Sequence, residues 1–178
     1  MGTGMTEDSR TMVERGADRR LSPSDSGDRR RSTADRRHLN NRNYATFFLD
    51  DHYLGVEVEK VQEVFTARDM TRVPLSSPMI AGLINLRGQI ITAIDLRKRL
   101  GFGSRSNDDR TMNLVVLTEN GVVDLVVDRI GDVIGVYPDL FDYPPSTLDR
   151  RLEGVVEGVY KLDGKLLLAL NTEALVDF

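Results

Sequence analysis

At 178 residues the chain has the length of one domain, or of a compact pair of small subdomains. It contains no cysteine, which excludes disulfides and thiolate metal sites, and its two histidines, His38 and His52, are placed so as to make a poor metal site. The net charge of -4 is unevenly spread: residues 1–43 carry ten Arg and seven acids (+3), and the remainder carries fourteen bases and twenty-one acids (-7).

The first segment, 1–43, has no aromatic residue, and beyond Met1 and Met5 its large apolar groups are Met12, Val13, Leu21 and Leu39. So little apolar surface does not offset the entropy of ordering, and an Arg-rich disordered tail is expected. Arg29, Arg30, Arg31, Arg36 and Arg37 offer positive charge. Asp18, Asp25, Asp28 and Asp35 interleave with the tail's arginines, and no ring is present to stack on a base, so nucleic acid is not the expected partner. The chain starts without the apolar stretch of a secretory signal, and runs such as Leu166–Leu170 are too short to span a bilayer. A cytoplasmic protein without direct membrane insertion is the expectation.

From Tyr44 the texture changes. Tyr44–Leu49 reads as a strand, Asp50-Asp51-His52 as a turn, and Tyr53–Val58 as its hairpin partner. A short helical turn is expected within 59–63, before Val64-Phe65-Thr66. Pro74 and Pro78 bracket a loop, and Met79–Leu83 reads as a second helical turn. Gly88 turns the chain between 83–86 and the strand 89–94. Asp95 is placed to cap a short helix, 96–100, that Gly101 ends. After a polar loop, strands at 113–117 and 122–127 flank Glu119-Asn120-Gly121, a strong hairpin signal. Residues 133–136 form a further strand, 138–149 are irregular, and a final hairpin, 155–170 with a turn at Asp163-Gly164, leads to a helix from Thr172.

An internal repeat underlies this order. Val56–Val64 aligns with Leu125–Val133, and Gly82–Ile94 with Gly158–Leu170, with apolar positions in phase. Many short strands with frequent turns argue for small barrels or a sandwich. Two similar pieces of this size are marginal alone, so they share a core and leave a groove where they meet. Such a groove suits another protein.

No catalytic constellation emerges. His52 lies in a turn and His38 in the tail, and the serines lack a nucleophile-elbow motif. Gly101-Phe102-Gly103 follows a helix where a phosphate loop would precede one. Asp124 and Asp128 share a face with Val126, and each has a solvent-pointing or turn-capping reading that needs no chemistry. Catalytic residues, cofactor and metal are all expected to be absent.

The segment Ile80-Ala81-Gly82-Leu83-Ile84-Asn85-Leu86-Arg87-Gly88-Gln89-Ile90 resembles the signature of the CheW family. Gly55–Val58, Val61–Val64, Arg72-Val73-Pro74, Asp95-Leu96-Arg97, Leu125–Asp128 and Gly158–Leu170 match it in order and spacing. The resemblance covers Tyr44 to about Val176. It implies an all-β fold with short helices: two intertwined five-stranded Src-homology-3-like barrels sharing a central core, over 44–178. It also implies a non-catalytic adaptor coupling the cytoplasmic tip of methyl-accepting chemotaxis receptors to the C-terminal regulatory domain of the histidine kinase CheA, recruited from the cytoplasm to receptor arrays.

By the same resemblance, Val61, Glu63, Arg87, Met112 and Val133 fall at the receptor contact. Leu54, Phe65 and Met70 fall near the kinase surface, and the 141–147 stretch, with Phe141, Asp142 and Thr147, at a second, ring-closing contact. Two roles stay open for Arg87, bracing the groove or meeting the receptor. Val61, Val133 and Phe65 have ordinary core as their alternative. Three positions depart from the family pattern: Met79 replaces a frequent aromatic, Arg129 a frequent glycine, and Asp142 a base found in some relatives. Two other functions fit the composition: the same adaptor in a non-flagellar chemosensory pathway, and a ligand- or nucleic-acid-binding β-barrel module.

Overall fold

The structure is a computed structural model, and it describes residues 41–66, 69–103 and 110–177. The expected tail lies outside the described residues except for 41–43, and with it His38 and the Arg29–Arg37 cluster. The first strand starts at Arg42, two residues before the expected boundary.

Among the described residues, the first half of the chain supplies β1 (Arg42–Leu49), β2 (His52–Glu57), β3 (Val61–Thr66), β4 (Ile80–Leu86), β5 (Gln89–Asp95) and helix α1 (Leu96–Arg99). The second half supplies β6 (Met112–Thr118), β7 (Gly121–Val127), β8 (Arg129–Val136), the two-residue β9 (Phe141–Asp142), β10 (Val156–Leu162), β11 (Lys165–Leu170) and helix α2 (Thr172–Val176). A 3-10 turn at Val58–Lys60 separates β2 from β3. One expectation is corrected: Met79–Leu83 is not a helical turn. Ile80 opens β4, and its apolar run is buried at Gly82, Ile84 and Leu86 while pairing with β5. A continuous apolar stretch does not by itself separate a short helix from a buried strand.

The two sheets run β8-β1-β2-β11-β10-β9 and β3-β6-β7-β5-β4. Apart from the appended β9, the orders are equivalent with the halves exchanged. Each sheet takes a hairpin from one half (β1–β2 or β6–β7) and three strands from the other. The one parallel pair in each sheet is also equivalent, with Ala169 opposite Gly55 in β11–β2 and Ala93 opposite Asp124 in β5–β7. Gly82 and Gly158, which the repeat aligns, each follow a register shift and sit opposite Ala93 and Ala169. The repeat is therefore built into the sheet geometry, and the two subdomains are interlaced.

Period-2 alternation distributes the side chains among three cores. Phe47, Leu49, Leu54, Val56, Leu114, Val116, Leu125 and Val127 join residues of β5, β10 and β11 in one cluster shared by both sheets. Tyr44, Tyr53, Val136, Tyr160 and Leu167 fill the six-stranded subdomain. Ile84, Leu86, Ile91, Ala93, Val115 and Val126 fill the five-stranded one.

Two polar fastenings hold the halves together. Asp95 caps α1 by accepting from the N–H groups of Arg97 and Lys98. That fixes Arg97, whose Nε donates to both Asp128 oxygens at 2.8 and 2.9 Å and whose Nη1 donates to the Gly103 carbonyl. The N–H of Asp50, in the β1–β2 turn, donates to Asp128 at 2.8 Å. At the equivalent place Asn171 caps α2, Lys60 donates to Thr172 and pairs with Glu173 at 3.4 Å, and the Glu119 N–H donates to Glu173. The helix carries the cation in the first fastening and the anion in the second.

Candidate protein-docking surface

The β4–β5 hairpin closes with Leu86 opposite Gln89, so its loop is Arg87-Gly88 alone. Both residues have positive φ, +53° and +88°. This is the conformation that two-residue hairpins favour because it matches strand twist. Asn85 Oδ1 accepts the Gly88 N–H at 2.9 Å and pins the turn. The pinned turn lifts Arg87 into solvent with its side chain 81% exposed, and its Nη2 lies 3.0 Å from Oε2 of Glu63 on β3. Strands β3 and β4 are the two outer strands of the five-stranded sheet. The Arg87–Glu63 pair therefore spans the opening between the sheet's ends. Phe65 and Met70 pack beneath this opening against the subdomain core. The Thr71–Leu83 bridge extends the closure, and an added Cβ at Gly82 would lie 2.8 Å from the Thr71 carbonyl.

The structure joins some of the expected contact residues and separates others. Glu63 and Arg87 meet directly. Val61, two residues before Glu63, and Met112, opposite Thr66, are half-buried against the shared core. Val133 lies on β8, the outer strand of the other sheet, and is 65% exposed. Among the residues expected at the kinase surface, Phe65 and Met70 are half-buried. Leu54 is 0% exposed in the shared core, which corrects its assignment as a contact: it packs and offers no surface. Its strand is covered on both faces, a condition the local sequence does not reveal.

Phe141, Asp142 and Thr147 sit along the connection from β8 to β10. Phe141 stacks edge-on to Tyr160 and Tyr143, with centroids 5.4 and 5.8 Å apart. Its ring occupies the space above Gly158, where an added Cβ would fall 2.0 Å from a ring carbon. Asp142 accepts from Lys161 at 2.7 Å, which holds its carboxyl below the usual range. Thr147 lines an open cleft of about 420 Å³ with His52, Tyr53, Pro145 and Lys165. The nearby Tyr143 and Leu140 are exposed, as is Tyr137. Of these three, Tyr143 falls within the expected 141–147 stretch, and Tyr137 and Leu140 lie before it. Their signal was apolar side chains in an irregular, proline-bearing segment.

Of the two acids weighed for chemistry, Asp128 is the anion of the first fastening. Asp124 is fully buried beside Asn113, and burial pushes its carboxyl up to about 6. Among the described residues no group of three or more His, Asp or Glu side chains is placed to hold a metal, and no helix is long and apolar enough to cross a membrane.

Comparison with known proteins agrees with this architecture. The model of the CheW-like domain matches residues 43–178. The chain is 29% identical over 131 residues to the chemotaxis protein CheW of Bacillus subtilis, covering 74% of this chain and 84% of that protein. It is 28% identical over 134 residues to the chemotaxis protein CheW of Thermotoga maritima, with 74% and 85% covered. The crystal structure of the scaffolding protein TtCheW from Thermoanaerobacter tengcongensis superposes with a TM-score of 0.70 at 30% identity, covering 78% of this chain and 94% of that one.

Proposed function

We propose that this chain, which belongs to the CheW-like domain family, is a chemotaxis adaptor that couples receptors to the kinase CheA and performs no reaction of its own. The observation that carries the reading is the Arg87 turn. A strained, pinned loop raises one guanidinium over the seam between β3 and β4, and Glu63 orients it from the opposite side. An Arg held this way keeps donors for a second acceptor, because its planar fork presents five N–H groups and a single carboxylate does not use them all.

In this reading the seam receives the cytoplasmic tip of a receptor. Glu63 and Arg87 form its polar rim, and Val61 and Met112 lie at its apolar flank. Amphipathic helices dock in grooves of this composition. Phe65 and Met70 support a kinase-facing surface for the C-terminal regulatory domain, to which Leu54 contributes only packing. Phe141, Asp142 and Thr147, with the exposed Tyr143, form the second contact that closes a ring with the kinase. Val133, exposed on the other subdomain, extends the receptor contact across the molecule. The protein works in the cytoplasm and is recruited to receptor arrays.

The decisive experiment reconstitutes the protein with the receptor fragment and kinase from its own genome. Wild-type protein is expected to raise receptor-dependent kinase activity, and Arg87→Ala to lower it at least tenfold while the thermal midpoint stays within a few degrees. Equal coupling by the variant rejects the assigned role of Arg87. Failure of wild-type protein to associate with either partner rejects the adaptor reading.

A further inference from the structure

The five-stranded subdomain buries an acid that has no cation to meet it. Asp124 on β7 and Asn113 on β6 are both 0% exposed. They sit on the interior side of the barrel, beside Val115 and Val126. The Asn113 Nδ2 donates to Asp124 Oδ2. The other oxygen of each side chain, Asn113 Oδ1 and Asp124 Oδ1, is buried without a hydrogen-bond partner.

Two unpartnered acceptors side by side are costly in a dry interior, each by the desolvation of an unpaired polar group. One proton removes both deficits. A neutral carboxyl at Asp124 carries a donor, and Asn113 Oδ1 is an open acceptor. Acid and carboxamide then share two antiparallel hydrogen bonds in one ring.

The charges around the pair favour that state. The five strands of this subdomain contain three charged residues, Glu63 on β3, Asp95 on β5 and Asp124 itself, with none on β4 or β6 and no base on any of them. Glu63 faces Arg87 across the seam, and Asp95 caps α1. The equivalent positions of the other subdomain hold Tyr44 and Gly55, where an added Cβ at Gly55 would touch Leu167 at 3.0 Å and Tyr44 at 3.2 Å. There an aromatic ring fills the volume that an acid and an amide fill here.

We propose that in mildly acidic solution Asp124 is a neutral acid paired in a two-hydrogen-bond ring with Asn113, and that losing its proton to solvent loosens the barrel that carries the Arg87 turn. On ionisation the Asp124 Oδ1 to Asn113 Oδ1 bond disappears, leaving two facing oxygens and an unpaired charge among apolar walls. Strands β6 and β7 form the floor of this barrel, so the loosening registers first there. The proposal concerns the proton alone and stands whether or not Arg87 meets a receptor.

The test follows the Asp124 carboxyl carbon and the Asn113 side-chain amide by NMR in the full chain from pH 4 to pH 8. The expected titration midpoint lies near 6, about a hundredfold in proton affinity above an ordinary aspartate. Amide hydrogen exchange along β6 and β7, corrected for the intrinsic rate, is expected to accelerate severalfold, up to about tenfold, from pH 5 to pH 8. In Asp124→Asn an amide–amide ring replaces the acid–amide ring, and that pH dependence is expected to vanish. A midpoint at or below 4, or unchanged exchange across the titration, overturns the proposal. The wild-type titration decides it even where the variant folds poorly.

Discussion

Arg87 combines two properties that single substitutions separate. Its φ of +53° is unfavourable for any residue with a Cβ, by roughly 1–2 kcal/mol, and glycine adopts it freely. Its ion pair with Glu63 is solvent-exposed, and exposed pairs contribute only about 0–1 kcal/mol. Arg87→Gly is therefore expected to leave stability within about 1 kcal/mol of wild type in urea unfolding while abolishing coupling; a large loss of stability would make Arg87 a brace of the fold. Gly158 is the opposite case. Ala there drives a methyl into the Phe141 ring, so Phe141 must leave its place between Tyr160 and Tyr143. A loss of about 1–3 kcal/mol is expected. The second contact should weaken with it, measurable as reduced kinase–adaptor association. Asp124 adds a pH dependence whose sign is fixed. Its folded form binds its proton up to about pH 6, whereas an unfolded aspartate releases it near pH 4. The contribution of Asp124 to stability is then greatest below pH 4, falls as pH rises to about 6, and is gone once both states are ionised, a total of about 3 kcal/mol. Asp124→Asn removes this slope.

At the scale of elements, the fastenings at α1 and α2 differ in burial as well as polarity. The side chains of Arg97 and Asp128 are 14% and 21% exposed, whereas Lys60 and Glu173 are 35% and 30% exposed. Breaking the first leaves a charge near the interior, and Asp128→Asn is expected to cost about 2–4 kcal/mol in equilibrium unfolding. Lys60→Ala should cost about 1 kcal/mol or less. Comparable losses would show that burial does not separate the two fastenings. Because the helices carry opposite charge, each fits the other half's connection and opposes its own: Arg97 set against Lys60 is repulsive, as is Glu173 set against Asp128. The exchanged pairing of the halves thus has an electrostatic specification beyond the hydrophobic one.

These elements also show where local sequence is informative. The Asn120-Gly121 and Arg87-Gly88 hairpins, the Asp95 cap and the Gly101 stop were legible because each is settled within a few residues. The exchange of β3 and β8 between halves was not. It depends on pairings such as Val64 with Leu114 and Val133 with Ala45, fifty or more residues apart in sequence. For the same reason Asp124 read as open to solvent, whereas Leu54 was placed at the kinase surface by the resemblance alone. Alternation assigns a residue to a face, and only the closed barrel decides whether that face is wet. The Glu63–Arg87 meeting is of this long-range kind: the resemblance placed both residues at one contact, and the pairing itself was not legible in the sequence.

For the whole molecule, the shared core determines cooperativity. Leu125 is fully buried among residues of both sheets. Leu125→Ala is expected to cost about 2–5 kcal/mol, and amide protection should fall in both sheets together. A second, separate unfolding transition in denaturant would mean that the subdomains stand independently.

That interlacing has a mechanical consequence. A protein whose lobes are strung side by side bends at the string, but here each lobe contains strands that began in the other, and the chain crosses the midline repeatedly. Among the described residues, the two sheets that carry the Arg87 seam and the Phe141 flank share one core. A partner that pushes on one end should therefore move the other as the far arm of a stiff lever, so that displacement reaches the opposite end as a swing of the entire body.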